Sequence, residues 1–346
     1  MSDLALALEL AYWQQLTIKV LAVLIIVPTA TAIIVQTFLF KMMAHMQSRL
    51  GPMEAGPHGA FQLMADGAKF VQKELLAPAR ADRRVFALAP VVVLLATFLL
   101  FVVIPAGPSG VAEDLDIGIF FALAVSSISV LGVLMAGWSS ANKYALMGGL
   151  RAAGQLIAYE LPLVLAVVGV VIQAGTLSLQ GIVRAQAEGE IFGVGLIGLP
   201  FILTQFIGFA LFLVATQAEL TQPPFDMPIA ESELVAGYQV EYSGLQFLFF
   251  YLGEFGAAFA FSALAATMFL GGWYVPGMDI DGGLLSNLIG PAVLFAKTMA
   301  VAFLIFWIRF TYPRLREDQL QTFAWKYLIP LSLVNILITG VFKVAF

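Results

Sequence analysis

The sequence predicts an all-α polytopic membrane protein. Eight transmembrane helices form a single membrane domain over residues 1–346, with an amphipathic helix in the first cytoplasmic loop. Three observations carry this expectation. Of the 346 residues, 61% are hydrophobic and 11% charged, and that charged fraction is about half of what soluble domains carry. A water-exposed fold of this length could not hide so much apolar surface, so the solvent is lipid. Eight stretches, roughly 16–40, 85–104, 117–136, 153–173, 191–216, 244–271, 288–312 and 326–344, reach or approach the ~20 apolar residues that cross a bilayer. The basic residues between them fall on one side. Closed helices are the expected solution, because lipid offers no partner to a free backbone group.

The N-terminal "MSDLALALELAYWQQ" has no basic region and does not read as a cleaved signal peptide. In the first span, Lys19 stands near one end and is expected to snorkel to the interface. The first inside loop, about 41–84, contains "GAFQLMADGAKFVQKELLAP". Phe61, Met64, Ala68, Val71 and Leu75 recur on one helical face, and Gln62, Asp66, Lys69 and Lys73 on another. This helix either lies on the membrane surface or docks a cytoplasmic partner. "MGGLRAAG", ahead of the fourth span, reads as a close-packing element.

Counting alternate loops puts Lys41, Arg49, Lys69, Lys73, Arg80, Arg83, Arg84, Lys143, Arg151, Arg309, Arg314, Arg316 and Lys326 on one side. Only Arg184 and Lys343 fall on the other. The positive-inside rule then places both termini on the outer, periplasmic side of the cell's inner (plasma) membrane.

Four ionisable residues fall within spans: Lys19, Glu160, Glu254 and Lys297. A charge at membrane depth costs about 3 kcal/mol on insertion scales, so such groups face a polar cavity or a partner. Glu160 precedes Pro162, which is expected to kink its helix. Glu254 follows Tyr251 by one turn, and the bland expectation pairs a buried Glu with Lys297 or a hydroxyl. Between the fifth and sixth spans lies "PFDMPIAESELVAGYQVEYSG", which holds Asp226, Glu231, Glu233 and Glu241 and no Lys or Arg. Without local cations its carboxylates are expected to stay un-neutralised, with raised and coupled protonation.

The absence of Cys excludes disulfides, thiolate metal sites, cysteine nucleophiles and iron–sulfur ligation within this chain. His45 and His58, the only histidines, lie outside the apolar runs, which argues against a bis-His haem. There is no GxSxG, no GxxxxGK[ST] and no GxGxxG following a predicted strand.

Longer motifs add a resemblance. "GAFQLMADGAKFVQKE", "SANKYALMGGLRAAGQLIAYELPL", "PPFDMPIAESELVAGYQVEYSG" and "RFTYPRLREDQLQTFAWKYLIPL" resemble, in order and spacing, the membrane-embedded H subunit (mitochondrial ND-one type) of respiratory complex I, NADH–quinone oxidoreductase. The resemblance implies eight helices, and a place at the junction of the redox and pumping arms. It implies a share in the chamber through which quinone is reduced, and coupling of that reduction to proton pumping through buried carboxylates. The enzyme is then the whole complex, and this one component is not catalytic alone. Carried over by motif, Arg49 (in "RLGP"), Asp66, Lys69, Phe225, Asp226 and Tyr242 belong to the quinone chamber and loop. Glu160, Glu231, Glu233, Glu241, Glu254 and Arg151 belong to proton coupling. No catalytic or metal-ligating residue is implied. Quinone is the substrate, while iron–sulfur clusters and flavin reside in partner subunits. The implied partners are the hydrophilic redox arm, small and antiporter-like membrane subunits, and lipid, but no nucleic acid. The chain departs from the family's "NRAPFDLPEAE" with Thr221, Gln222, Pro223 and Ile229 at the Asn, Arg, Ala and Glu positions. It also departs at Leu39 and Phe40, where the family carries a Glu–Arg pair ahead of Lys41. Loss of Arg at 222 together with Glu at 229 reads as the removal of an ion pair. Two other readings share the composition: a membrane subunit of an energy-converting hydrogenase, and an ion-coupled transporter.

Overall fold

The computed structural model describes residues 12–191, 194, 195, 198, 200–280 and 283–345. The first eleven residues and parts of the expected fifth span, such as Phe192 and Gly193, lie outside the described residues. Helix α1 (Tyr12–Ile34) runs through a π-helical stretch, Val35–Met42, into α2 (Met43–Met46). A turn leads to α3 (Gln62–Gln72). Asp82 caps α4 (Arg83–Leu100) by accepting from the backbone N–H groups of Arg84 and Val85. Next come α5 (Gly118–Ser139) and α6 (Lys143–Ala174). Asn142 caps α6, and Gly175 ends it in the left-handed conformation. Pro162 lies inside α6, which stays helical across it rather than breaking.

Helix α7 (Leu179–Glu188) leads to a two-residue antiparallel ladder, Glu190–Ile191 with Val194–Gly195. Helix α8 (Phe206–Glu219), the four-residue α9 (Glu231–Leu234) and α10 (Gly244–Phe269) follow. The chain closes with α11 (Leu284–Thr311), α12 (Glu317–Phe323), a π-helical stretch (Ala324–Leu328) and α13 (Ile329–Ala345). Among the described residues, seven helical stretches are long and apolar enough to cross a membrane. Helix α6 packs against α5, α8 and α13, while α10 packs against α1, α4 and α11. Hydroxyls reinforce the second set: Thr97 Oγ1 donates to the Gly253 carbonyl at 3.0 Å.

The fifth expected span is where structure and sequence part. Instead of a helix over 191–216, α8 has 14 residues. At 1.5 Å per residue that is about 21 Å, short of a hydrocarbon core of about 30 Å. Irregular backbone at such depth is stable only where protein satisfies it. Buried Gln186 does so by accepting from the Phe201 N–H at 3.0 Å and donating to the Thr267 carbonyl at 3.0 Å. Gln173 Nε2 donates to Thr204 Oγ1 at 2.8 Å. Gln205, at the start of α8, donates to Thr339 Oγ1 at 2.7 Å and accepts from Asn335 Nδ2 at 3.1 Å, both on α13. Replacing Gln205 by Leu therefore strands the Asn335 amide at a cost of about 1–2 kcal/mol. Chemical unfolding of the purified chain in detergent should show that loss, while Ile207→Leu, on the exposed side, leaves the midpoint unchanged.

Candidate functional site

The acidic segment between α8 and α10 is strapped to one face of α6. Gln155 Nε2 donates to the Ala218 carbonyl at 2.7 Å and to the Phe225 carbonyl at 2.6 Å, pinning both sides of the turn that leaves α8. The Phe225 ring is buried edge-on against Tyr159, with centroids 5.2 Å apart. Further along, Arg151 Nη1 donates to Glu233 at 2.5 Å. A Cβ on Gly148 would stand 2.6 Å from the Tyr238 nitrogen, so that glycine lets the segment lie against the helix. Asn142 Nδ2 donates to Glu241 at 2.5 Å. The turn at Gly237 has φ +52°, a conformation natural to glycine.

Cations reach this segment from elsewhere in the chain. Arg314 donates to Asp226 Oδ2 at 2.6 Å and to Ser232 Oγ at 3.3 Å. Burial pushes the Asp226 carboxyl above its ordinary range, and the Arg314 guanidinium pulls against that shift. The expectation of un-neutralised carboxylates is thus corrected: the segment contains no base, but Arg151 and Arg314 fold onto it. Glu231, in the first turn of α9, is exposed. Tyr242 stacks on Phe86 with centroids 4.1 Å apart and donates its hydroxyl to the Phe86 carbonyl at 3.1 Å. Burial pushes that phenol up to about 12, so it stays a donor at neutral pH.

Gln222 is 0% exposed, and its side-chain amide donates to Glu254 Oε1 on α10. Arg309 of α11 approaches the same carboxylate at 3.9 Å, with side chains of Arg309 and Glu254 only 21% and 15% exposed. The guanidinium also lies 5.5 Å from the centroid of Phe255. Pairing of Glu254 with Lys297 is not what forms: Lys297 Nζ donates to the carbonyls of Gly272 and Tyr274 at 2.9 and 2.6 Å. The idea of a lost ion pair between positions 222 and 229 fares no better. Gln222 serves Glu254, whereas Ile229 packs with the separate group around Phe86, Tyr238 and Phe250. Half-buried Glu160 lies within electrostatic reach of Glu219, the last residue of α8.

A cavity of about 530 Å³ opens between α1, α3 and α10, lined by Phe40, Asp66, Lys69 and Tyr251 among others. The charged face of α3 turns toward this cavity. Leu63 and Phe70 line it as well, while Met64 and Val71 point outward, 72% and 63% exposed. Asp66 accepts from Gln62 at 3.0 Å and from Lys69 at 3.4 Å. Tyr251 lines the cavity wall, and Glu254 follows it by one turn of α10.

Known proteins resemble the chain along most of its length. The family described as NADH dehydrogenase covers residues 18–340. The NADH-quinone oxidoreductase H subunit of Brevibacillus brevis is 46% identical over 303 residues, 87% of this chain and 85% of that protein. The protein of the same name from Phocaeicola vulgatus is 42% identical over 334 residues, 94% of this chain and 92% of its own. That of Dehalococcoides mccartyi strain CBDB1 is 45% identical over 301 residues, 87% and 79% respectively. The chain belongs to the NADH-quinone oxidoreductase H-subunit family.

Within this member of the H-subunit family, most of the residues singled out by sequence fall into two groups joined by α10. Asp66 and Lys69 line the cavity. Phe225, Asp226, Glu233, Glu241, Tyr242 and Arg151 meet on or beside the acidic segment, and Glu254 touches it through Gln222. Arg49 stands apart, exposed on the turn after α2 with its Nε donating to Gln47 at 2.8 Å. Sequence reasoning missed Arg309, Arg314, Gln155 and Tyr159 as parts of the site. The first two counted only as inside-loop charge. Gln155 carried a signal, being an amide one helical turn and a residue before Glu160 in an otherwise apolar stretch.

Proposed function

We propose that this chain is the membrane component of a proton-translocating NADH–quinone oxidoreductase, lining the chamber where quinone is reduced and coupling that reduction to proton movement. One observation carries the reading: a single turn of α10 joins Tyr251, in the wall of a cavity holding Asp66 and Lys69, to Glu254, bonded to the acidic segment. Reduction of a quinone to a quinol takes up two electrons and two protons. The electrons come from iron–sulfur and flavin centres in partner subunits, while this chain's residues handle charge. Negative charge arriving beside Tyr251 favours the protonated form of nearby carboxylates. Glu254, already poised between Gln222 and Arg309, is the first group to respond, and Asp226 with Arg314 the next. Glu160 and Glu219 continue the carboxylate series toward α8.

The same reading makes α8 with its preceding buried turns an eighth crossing, puts both termini outside the inner membrane, and treats residues 1–346 as one membrane domain. It makes α3 an amphipathic helix whose outward Met64 and Val71 meet lipid or the hydrophilic redox arm. Small and antiporter-like membrane subunits complete the assembly. A photoreactive quinone analogue, activated on the purified assembly, tests the chamber. Label on Phe40, Leu63 or Tyr251, competed away by unlabelled quinone, is the expected result. Competable label confined to the separate cavity beside Phe323 and Tyr327 overturns it.

A further inference from the structure

A second apolar cavity, of about 490 Å³, lies between α1, α10 and α11 at the end of the bundle away from the acidic segment. It is independent of the quinone reading. Ile26, Phe101, Phe259 and Leu294 supply its walls, and Lys19 stands on its rim. From Lys19 to Ile26 along α1 is about 10 Å at the helical rise, so the cavity runs from the interface into the hydrocarbon depth. Ile18 and Ile26 are exposed, so this side of the cavity opens to lipid. The rim is not simply basic. Lys19 Nζ sits 3.0 Å from Glu113 Oε2, and both side chains are about half exposed.

These charges choose the occupant. An apolar slot entered from the interface accepts an acyl chain. A lone lysine at its mouth would favour any phosphate, but the carboxylate 3.0 Å away repels a headgroup of net negative charge. A headgroup carrying both signs satisfies both residues: its phosphate accepts from Lys19, and its ammonium donates to Glu113. A primary ammonium donates such hydrogen bonds, whereas a quaternary one has no N–H. We infer that this cavity and the Lys19–Glu113 pair form a binding site for a phosphatidylethanolamine-type lipid, with one acyl chain in the cavity and the headgroup across the pair.

The test is lipid retention by the delipidated full assembly, read by native mass spectrometry after adding dioleoyl phosphatidylethanolamine, dioleoyl phosphatidylglycerol or dioleoyl phosphatidylcholine. The expected result is one phosphatidylethanolamine retained beyond the background count, with the other two held at least fivefold more weakly. Ala22→Trp, on the lipid-exposed side of α1, fills the cavity and removes that lipid while subunit content stays unchanged. Lys19→Gln keeps the cavity and weakens retention about fivefold, the effect of one basic residue at a membrane surface. Equal retention in wild type and the fully assembled Ala22→Trp variant overturns the site. Phosphatidylglycerol held as tightly as phosphatidylethanolamine overturns the headgroup assignment.

Discussion

Replacing Arg309 by Leu should cost the folded chain about 3 kcal/mol or more, because it leaves Glu254 mostly buried without its cation. The carboxylate then keeps only the Gln222 amide, and Asp226 remains close enough to repel it. A charge so placed either forces the packing around α10 and α11 to loosen or takes up a proton. The decisive comparison is the double variant. Arg309→Leu with Glu254→Gln removes both signs, so no charge is stranded and assembly should recover toward wild type. Yield of intact complex and its melting temperature, measured for the wild type, both single variants and the double, read the coupling directly. Additive losses would mean that the two side chains act independently, and that their 3.9 Å approach has no energetic weight.

Glu254→Gln alone should do the opposite: assemble well and turn over poorly. Glutamine is nearly isosteric and can still accept from Gln222, and Arg309 is not stranded, because Asp226 stays within its electrostatic reach and the rings of Phe255, Phe306 and Phe310 surround it. It cannot carry a proton. Losing a positioned proton-transfer group typically costs about 10²-fold or more in rate. Quinone reductase turnover and proton translocation in membrane vesicles should therefore fall together by roughly that factor, with subunit content unchanged. Wild-type turnover and wild-type translocation in the fully assembled variant would remove Glu254 from the coupling path. Glu254→Asp, which keeps the acid but shortens its reach, should retain part of the activity.

Much of this architecture could be read from the chain because lipid imposes a simple rule. An apolar run near the needed length must become a helix, and seven of the eight runs did. The run over 191–216 misled because apolarity says a segment is buried, not that it is helical. Its Gly195, Gly198 and Pro200 were punctuation, and the groups that make a shorter helix tolerable, Gln173, Gln186 and Asn335, come from three other elements. The site was half legible for a related reason. Carboxylates within an apolar chain stand out singly, so Glu160, Glu254 and the acidic segment were visible. Their partners were not, because Arg151 lies 82 residues from Glu233 and Arg314 lies 88 from Asp226. Charge counted loop by loop made the segment look bare of cations. Only the fold supplies them.

The strapping of the acidic segment to α6 has a consequence for how a signal can travel. Gly148, Arg151, Gln155 and Tyr159 follow one another at spacings of three and four, so they share a single helical stripe. The segment meets them in reverse order, from Phe225 beside Tyr159 and Gln155 to Tyr238 beside Gly148. Phase therefore matters more than the identity of any one contact. One residue added to α6 between Arg151 and Gln155 would rotate the stripe by about 100° and misalign its two halves. A segment gripped at every turn has no slack to fold and unfold on its own. In the proposed coupling role such a segment is expected to shift as one piece along α6, so that a proton taken up at Asp226 is felt at Glu241.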